Sequence, residues 1–221
     1  SALWDFFFFL FTVSCGENSA FKALEVAQNL LSLGEVDAVL VGAVDFSGGM
    51  ENVLLRNQDH PINNHPQPSL PFDKDNQGWL VGEGAGAVVL KRQDQLQEER
   101  VYAMIDNIGQ AQENLAVDYW ELAATGMKNS DAAELALLKD TTQAQKVALG
   151  SVKSNIGHTF AASGMASLIK TALCLHYQFV PAVPNVQTDA NWLGEDYYLP
   201  SKSRPWLNQN GKRQAAINGK D

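Results

Sequence analysis

Apolar and polar residues follow one another along the chain in blocks whose spacing predicts helices and strands in turn. Apolar residues recur at helical spacing over 19–33, with polar residues in front and Gly34 behind, which predicts a helix. The nearly continuous apolar run at 36–44 is typical of a strand that is covered on both faces. A second such run at 84–90 follows a Gly-rich segment and predicts another buried strand.

The same alternation continues to the end of the chain. Further strands are predicted at 101–108, 147–152 and 214–217, helices at 130–140 and 161–177, and loop-rich or extended segments at 56–70 and 180–210. Buried strands that alternate with amphipathic helices predict an α/β protein built in layers.

Composition and charge narrow the classes of partner. The 221 residues hold 16 Lys and Arg against 25 Asp and Glu, so the formal net charge is −9, which argues against nucleic acid or an anionic membrane as the main partner. The apolar run at 6–13 is shorter than the roughly 18–20 residues of a membrane span and lacks the basic flank of a signal peptide. The two cysteines are too few for a disulfide scaffold or a four-ligand zinc site. We therefore expect a reducing, cytoplasmic setting.

The four consecutive phenylalanines Phe6 to Phe9 are unusual for a free N-terminus, where chains are commonly polar and frayed. We expect them to belong to an internal, buried segment of a larger domain.

Three motifs carry a family resemblance. They are a Gly-rich string at 82–92 that follows Pro-Phe-Asp at 71–73, the string Gly-Ser-Val-Lys-Ser-Asn-Ile-Gly-His-Thr at 150–159, and the helix and strand within 12–44. In these motifs the chain resembles the β-ketoacyl synthase family. The resemblance implies a thiolase-like fold of αβαβα layers, present only in part. Residues 1–95 would be the end of its N-terminal half and 96–221 its C-terminal half, truncated before the family's Gly-rich loop.

The resemblance also implies where the family's chemistry should lie. In the family, a Cys at the start of a buried helix takes the acyl chain, and two His and a Lys support decarboxylation and condensation. Here Glu17 falls on the Cys position, Ala123 on the first His, His158 on the second His and Lys153 on the Lys. Cys15 stands two residues early, a shift of about 200° around a helix, and we interpret it as a small core residue rather than a nucleophile.

Each retained or replaced position also has a structural interpretation. In this interpretation Glu17 is an N-cap or first-turn residue of the helix and has no role in chemistry. His158 is then a hydrogen-bonded residue at the start of a helix, and Lys153 is an ion-pair group.

With Glu17 and Ala123 in these places, the chain resembles the non-condensing chain-length factors, above all those of the bacterial polyunsaturated fatty acid synthases. The resemblance implies an active ketosynthase as partner in a pseudo-symmetric dimer, an acyl carrier protein that brings acyl chains on phosphopantetheine, and no metal or cofactor of the chain's own. One alternative is a catalytic β-ketoacyl-carrier-protein synthase, an acyltransferase that uses Cys15. Another is a malonyl-carrier-protein decarboxylase assisted by Glu17, against which Ala123 argues.

Overall fold

The computed structural model describes most of the chain. The described residues are 10–64, 76, 78–109, 115–141, 146–184, 196–207 and 211–219, without the side chains of 128 and 139–141. The phenylalanines at 6–9 and the motif at 71–73 lie outside these residues.

The helices and strands alternate as the pattern predicts. In chain order they are α1 (Ser19–Ser32), β1 (Ala38–Asp45), α2 (Met50–Asp59), β2 (Gly84–Lys91), β3 (Tyr119–Glu121), α3 (Lys128–Thr141), β4 (Val147–Gly150), α4 (Lys153–Ile156), α5 (Ser163–Tyr177), β5 (Phe179–Val180), β6 (Tyr197–Tyr198), β7 (Arg204–Pro205) and β8 (Ala215–Ile217). Short 3₁₀ turns lie at Gln93–Gln95 and Phe160–Ala162.

The first sheet is the antiparallel pair β1–β2, in which Val41 lies opposite Val88. Helices α1 and α5 pack against one face of it through an apolar core that includes Leu24, Val41 and Met165. Gly34 forms the turn that follows α1, and its φ of +71° suits glycine. In this turn the N–H of Glu35 donates to the carbonyl of Leu30 at 3.1 Å. This turn directs the chain from α1 back into β1.

The second sheet is parallel, with strand order β6-β4-β3-β8. Leu138 of α3 packs with Trp120 and Leu149 on one face. Cys174 of α5 packs with Tyr119 on the other face. Helix α5 therefore lies between the two sheets, and the described elements stack as α3, parallel sheet, α1 with α5, and antiparallel pair. Strands β5 and β7 form a separate antiparallel pair beside α5.

Most of the predicted elements are confirmed, and three expectations are wrong. The segment predicted as a loop from residue 56 begins inside helix α2. None of the residues of α2 is buried, so the pattern of apolar residues that would predict this helix is weak. Residues 101–108 form no strand, since no described strand pairs with them. In the part of the chain that the structure describes, β1 is covered on one face only, and Leu40 and Val44 on its other face are more than half exposed.

Among the described residues, no helix is both long enough and apolar enough to cross a membrane.

Candidate functional site

The main chain holds His158 against the segment that leads into β2. The N–H of His158 donates to the carbonyl of Leu80 at 2.8 Å. Gly157 has a φ of +76°, and a Cβ on it would lie 2.4 Å from the carbonyl oxygen of Val81. A side chain at this position would therefore both strain the backbone and separate the two segments.

The hydrogen bonds of His158 define its tautomer. Its ring is 1% exposed, and Nδ1 accepts the N–H of Phe160 at 3.1 Å and lies 3.1 Å from Oγ of Ser163. Because a backbone N–H can only donate, Nδ1 carries no proton and the neutral ring is protonated on Nε2. Nε2 lies 3.0 Å from Oε2 of Glu17, so the imidazole and the Glu17 carboxylate are in direct polar contact.

Glu17 lies just outside α1 rather than within it. Asn18 is the N-cap residue and its side chain makes no capping hydrogen bond, so the interpretation of Glu17 as N-cap or first-turn residue is wrong. The Glu17 side chain is 17% exposed and contacts a histidine that is distant in sequence.

Cys15 is exposed, so its interpretation as a core residue is wrong. The argument from a helical rotation of about 200° also fails, because residues 15–18 precede the first turn of α1. Instead Ser19 closes a tight turn: its Oγ accepts the N–H of Cys15 at 3.0 Å and donates to the carbonyl of Gly16 at 2.6 Å. Cys15 is thereby held beside the same cavity as Glu17.

The loop that contains Ala123 is held by two carboxylates of α3. Glu134 accepts the N–H of Ala123 at 2.7 Å and the N–H of Ala124 at 2.9 Å. Asp131 accepts the N–H and the hydroxyl of Thr125, both at 2.9 Å, and the N–H of Gly126 at 3.1 Å. Burial raises the pKa of Asp131 to about 6, even though these donors act in the opposite direction. The sequence does not indicate this role, because it depends on contacts between α3 and the loop.

Lys153 connects the loop to His158. It is 5% exposed, and its Nζ donates to the carbonyl of Ala123. Burial lowers the pKa of Lys153, whereas the carboxylates of Glu134 and Glu17 raise it. The structure thus brings Glu17 and His158 into contact and joins Lys153 to Ala123 in the same region.

A third buried carboxylate, Glu121, lies at the end of β3, directly before the loop. Glu121 is fully buried and accepts the Tyr119 hydroxyl at 2.5 Å, the N–H of Val152 at 2.5 Å and Nζ of Lys170 at 2.8 Å. The pKa of Tyr119 is raised by burial and by this carboxylate.

A cavity of about 650 Å³ opens in front of the Glu17–His158 contact. Its lining includes Cys15, Glu17, Trp79 and Phe160. His158 is not among the described lining residues, because it lies behind Glu17 and Phe160.

Sequence reasoning missed two residues at this cavity, Phe160 and Arg56. The Phe160 ring stacks on His158 with centroids 4.3 Å apart, and the Arg56 guanidinium lies 3.4 Å from the centre of the Phe160 ring. Phe160 also has a φ of +37°, a strained conformation for a bulky residue that costs roughly 1–3 kcal/mol. Neither the stack nor the strain leaves a signal in the sequence.

In the part of the chain that the structure describes, no group of three or more His, Cys, Asp or Glu residues is arranged to hold a metal ion.

Comparison with protein families gives two matches that meet in the middle of the chain. The model of the β-ketoacyl synthase N-terminal domain matches residues 10–96, and that of the C-terminal domain matches residues 78–187. The boundary at 95/96 stays a prediction, because the two matches overlap.

Known relatives and solved structures agree with these matches. The chain is 34% identical to a polyunsaturated fatty acid synthase polypeptide of Thraustochytrium sp., over 99% of this chain and 12% of that protein. It superposes on the ketosynthase from module 6 of the bacillaene synthase of Bacillus subtilis with a TM-score of 0.77, at 26% identity, over 94% of this chain and 44% of that one. For the PfaC ketosynthase–chain length factor the TM-score is 0.65, at 26% identity, over 92% of this chain and 25% of that one. The predicted thiolase-like α/β fold is thereby confirmed, and the chain spans less than half of each relative.

Proposed function

Because the chain belongs to the β-ketoacyl synthase family, we propose that it is a non-condensing member that works as a chain-length factor. In this proposal it pairs with an active ketosynthase in a pseudo-symmetric dimer and helps to shape the cavity for the growing acyl chain. The acyl chain arrives on the phosphopantetheine arm of an acyl carrier protein, in fatty acid or polyketide synthesis.

The observation that carries the proposal is the contact between Glu17 and His158. The Nε2–H of His158 is the donor that this ring can offer to a reacting oxygen, and the Glu17 carboxylate lies 3.0 Å from Nε2, where such an oxygen would have to approach. A carboxylate forms no transferable thioester, so Glu17 cannot replace a thiolate nucleophile. Ala123, the other replaced position, offers no side-chain donor or proton carrier.

Two further observations support the proposal. The framework of the site is intact, since Glu134 and Asp131 hold the Ala123 loop and Lys153 contacts it. The PfaC neighbour is described as a ketosynthase–chain length factor, a protein that combines both kinds of unit. A retained framework with altered chemistry fits a subunit that is needed for its shape.

Condensation assays with the complex test the proposal. We expect the protein to co-elute with an active ketosynthase, and we expect product from acyl- and malonyl-carrier proteins to vanish when the ketosynthase cysteine is replaced by alanine. The double substitution Glu17→Cys with Ala123→His is then expected to recover measurable condensation. Product from the wild-type chain beside the inactive ketosynthase contradicts the proposal, and so does carbon dioxide release from malonyl-carrier protein by the chain alone.

A catalytic synthase that uses Cys15 is the second candidate, because Cys15 is exposed and lines the cavity. Labelling with a thiol reagent, followed by the condensation assay, separates the two candidates. We expect Cys15→Ala to leave condensation by the complex unchanged. Loss of condensation on labelling of Cys15, reproduced by Cys15→Ala, favours the catalytic candidate instead.

A further inference from the structure

Three side chains from distant parts of the chain form a stack, and two of them, Arg56 and Phe160, line the cavity. Arg56 of α2 covers the outer face of the Phe160 ring, and the ring in turn covers His158 with a plane-to-plane angle of 11°. The Trp79 ring meets Phe160 edge-on, with centroids 5.0 Å apart. The Phe160 ring is therefore held by contacts on three sides and is 9% exposed.

The main chain holds Phe160 in a conformation that this residue type rarely adopts. Its φ is +37°, and its N–H donates to Nδ1 of His158. Strain of this kind persists only where the surrounding contacts determine it, and it is concentrated at functional positions. The strain and the stack are independent observations of the same residue.

Arg56 is itself held in place. One of its nitrogens donates to Oγ of Ser47 at 3.2 Å, and the Ser47 hydroxyl donates to Asp45. Asp45 also accepts the N–H of Ala161, the residue after Phe160, at 3.4 Å. The guanidinium and the 3₁₀ turn that carries Phe160 are thus tied to the same carboxylate.

We infer that Phe160 forms the inner end of the cavity and limits the length of the alkyl chain that the cavity accepts, with Arg56 as a positioning residue that holds the ring. The inference rests on the proposed function, since it takes the occupant to be an acyl chain. Removing the ring extends the cavity toward His158, so a longer alkyl chain buries more methylene groups. Each additional buried methylene is expected to tighten binding about fourfold.

The test uses the complex with its active ketosynthase and a series of saturated acyl N-acetylcysteamine thioesters of increasing length. Phe160→Gly removes the ring and relieves the positive φ, and Phe160→Ala removes the ring alone. Both variants are expected to shift the tightest-binding thioester, and the products of the complex, toward longer chains. Phe46→Ala is the matched control, because Phe46 is 69% exposed and does not line the cavity.

Arg56 is tested by its conservative variant. Arg56→Lys keeps the charge but not the planar stacking group, so we expect a smaller shift in the same direction and a change in the His158 imidazole proton resonances, which lie under the Phe160 ring. An unchanged length preference in Arg56→Lys, with unchanged resonances, contradicts the positioning role.

The outcomes separate this inference from the proposed function. If folded Phe160→Gly keeps the wild-type length preference, while omission of the chain changes the products of the ketosynthase, the role of Phe160 is refuted and the proposed function stands. If the products are the same with and without the chain, the proposed function fails and the role of Phe160 fails with it. Thermal unfolding of each variant confirms that it is folded.

Discussion

The loop at 122–126 contacts the buried Lys153, and the turn at 14–18 contacts the buried His158. Carboxylates have different roles in the two segments. In the loop, four consecutive backbone N–H groups donate to the buried Asp131 and Glu134. In the turn, a single carboxylate, Glu17, contacts one side chain and borders the cavity. The loop is therefore part of the structural framework, because each of its buried N–H groups needs an acceptor. The turn instead carries a side chain, Glu17, that can be replaced with little effect on folding.

Loss of a framework carboxylate should have the largest effect. Glu134→Ala leaves the N–H groups of Ala123 and Ala124 and the amide of Asn218 without their acceptor, because Asn218 donates to Glu134 at 2.9 Å. We expect the free energy of unfolding to fall by about 3–5 kcal/mol, measured by denaturant titration.

The matched control is Glu25→Ala, which removes an exposed ion pair with Lys22. It is expected to leave the free energy of unfolding nearly unchanged, because water and salt screen an exposed pair. Similar losses in Glu134→Ala and Glu25→Ala would mean that the loop does not depend on its carboxylates.

Asp131 should make the stability of the framework depend on pH. Its folded pKa of about 6 lies above the ordinary value of 3.8, so the folded state binds more protons between these two values. Stability from this group is therefore highest below about pH 4 and decreases as the pH rises to about 6, by up to about 3 kcal/mol.

We expect the difference in unfolding free energy between wild type and Asp131→Asn to change across this window. Glu99→Gln is the control, since the hydrogen bond with Lys91 lowers the pKa of Glu99 to about 2 and its contribution is lost only below about pH 4.5. Parallel pH profiles for wild type and Asp131→Asn between pH 4 and 6 would disprove the assignment.

A change in the turn should have the smallest effect on stability. Glu17→Gln keeps an oxygen acceptor for Nε2 of His158 but removes the charge, so we expect the free energy of unfolding to fall by about 1 kcal/mol or less. Nitrogen-15 spectra of the imidazole should show the Nε2-protonated tautomer in wild type and in Glu17→Gln. A loss as large as that of Glu134→Ala, or a proton on Nδ1, would show that the turn is framework as well.

Much of the fold could be predicted from the sequence, because its elements are encoded locally. The helical spacing of apolar residues before Gly34 predicts α1, and the apolar run that begins at Gly84 predicts β2. The errors have local causes too: α2 buries no residue, and the apolar run at 101–108 is largely exposed and pairs with no described strand. A pattern of apolar residues reports burial, so an element without burial carries little signal.

The candidate site could be predicted only in part. The positions of Lys153 and His158 followed from a long and specific motif. The exposure of Cys15 and the position of Glu17 outside the helix could not be foreseen, because the first turn of α1 begins only at Ser19. A register argument holds only inside a regular helix.

The sequence by itself determined most of the helices and strands, the motifs of the family and the loss of the usual groups at Glu17 and Ala123. Only the tertiary structure decided that Glu17 contacts His158, that carboxylates of α3 hold the Ala123 loop, and that Arg56 and Phe160 stack at the cavity. The physical reason is distance along the chain. Helical and strand periodicity arises between near neighbours, whereas each of these contacts depends on how separate elements pack together.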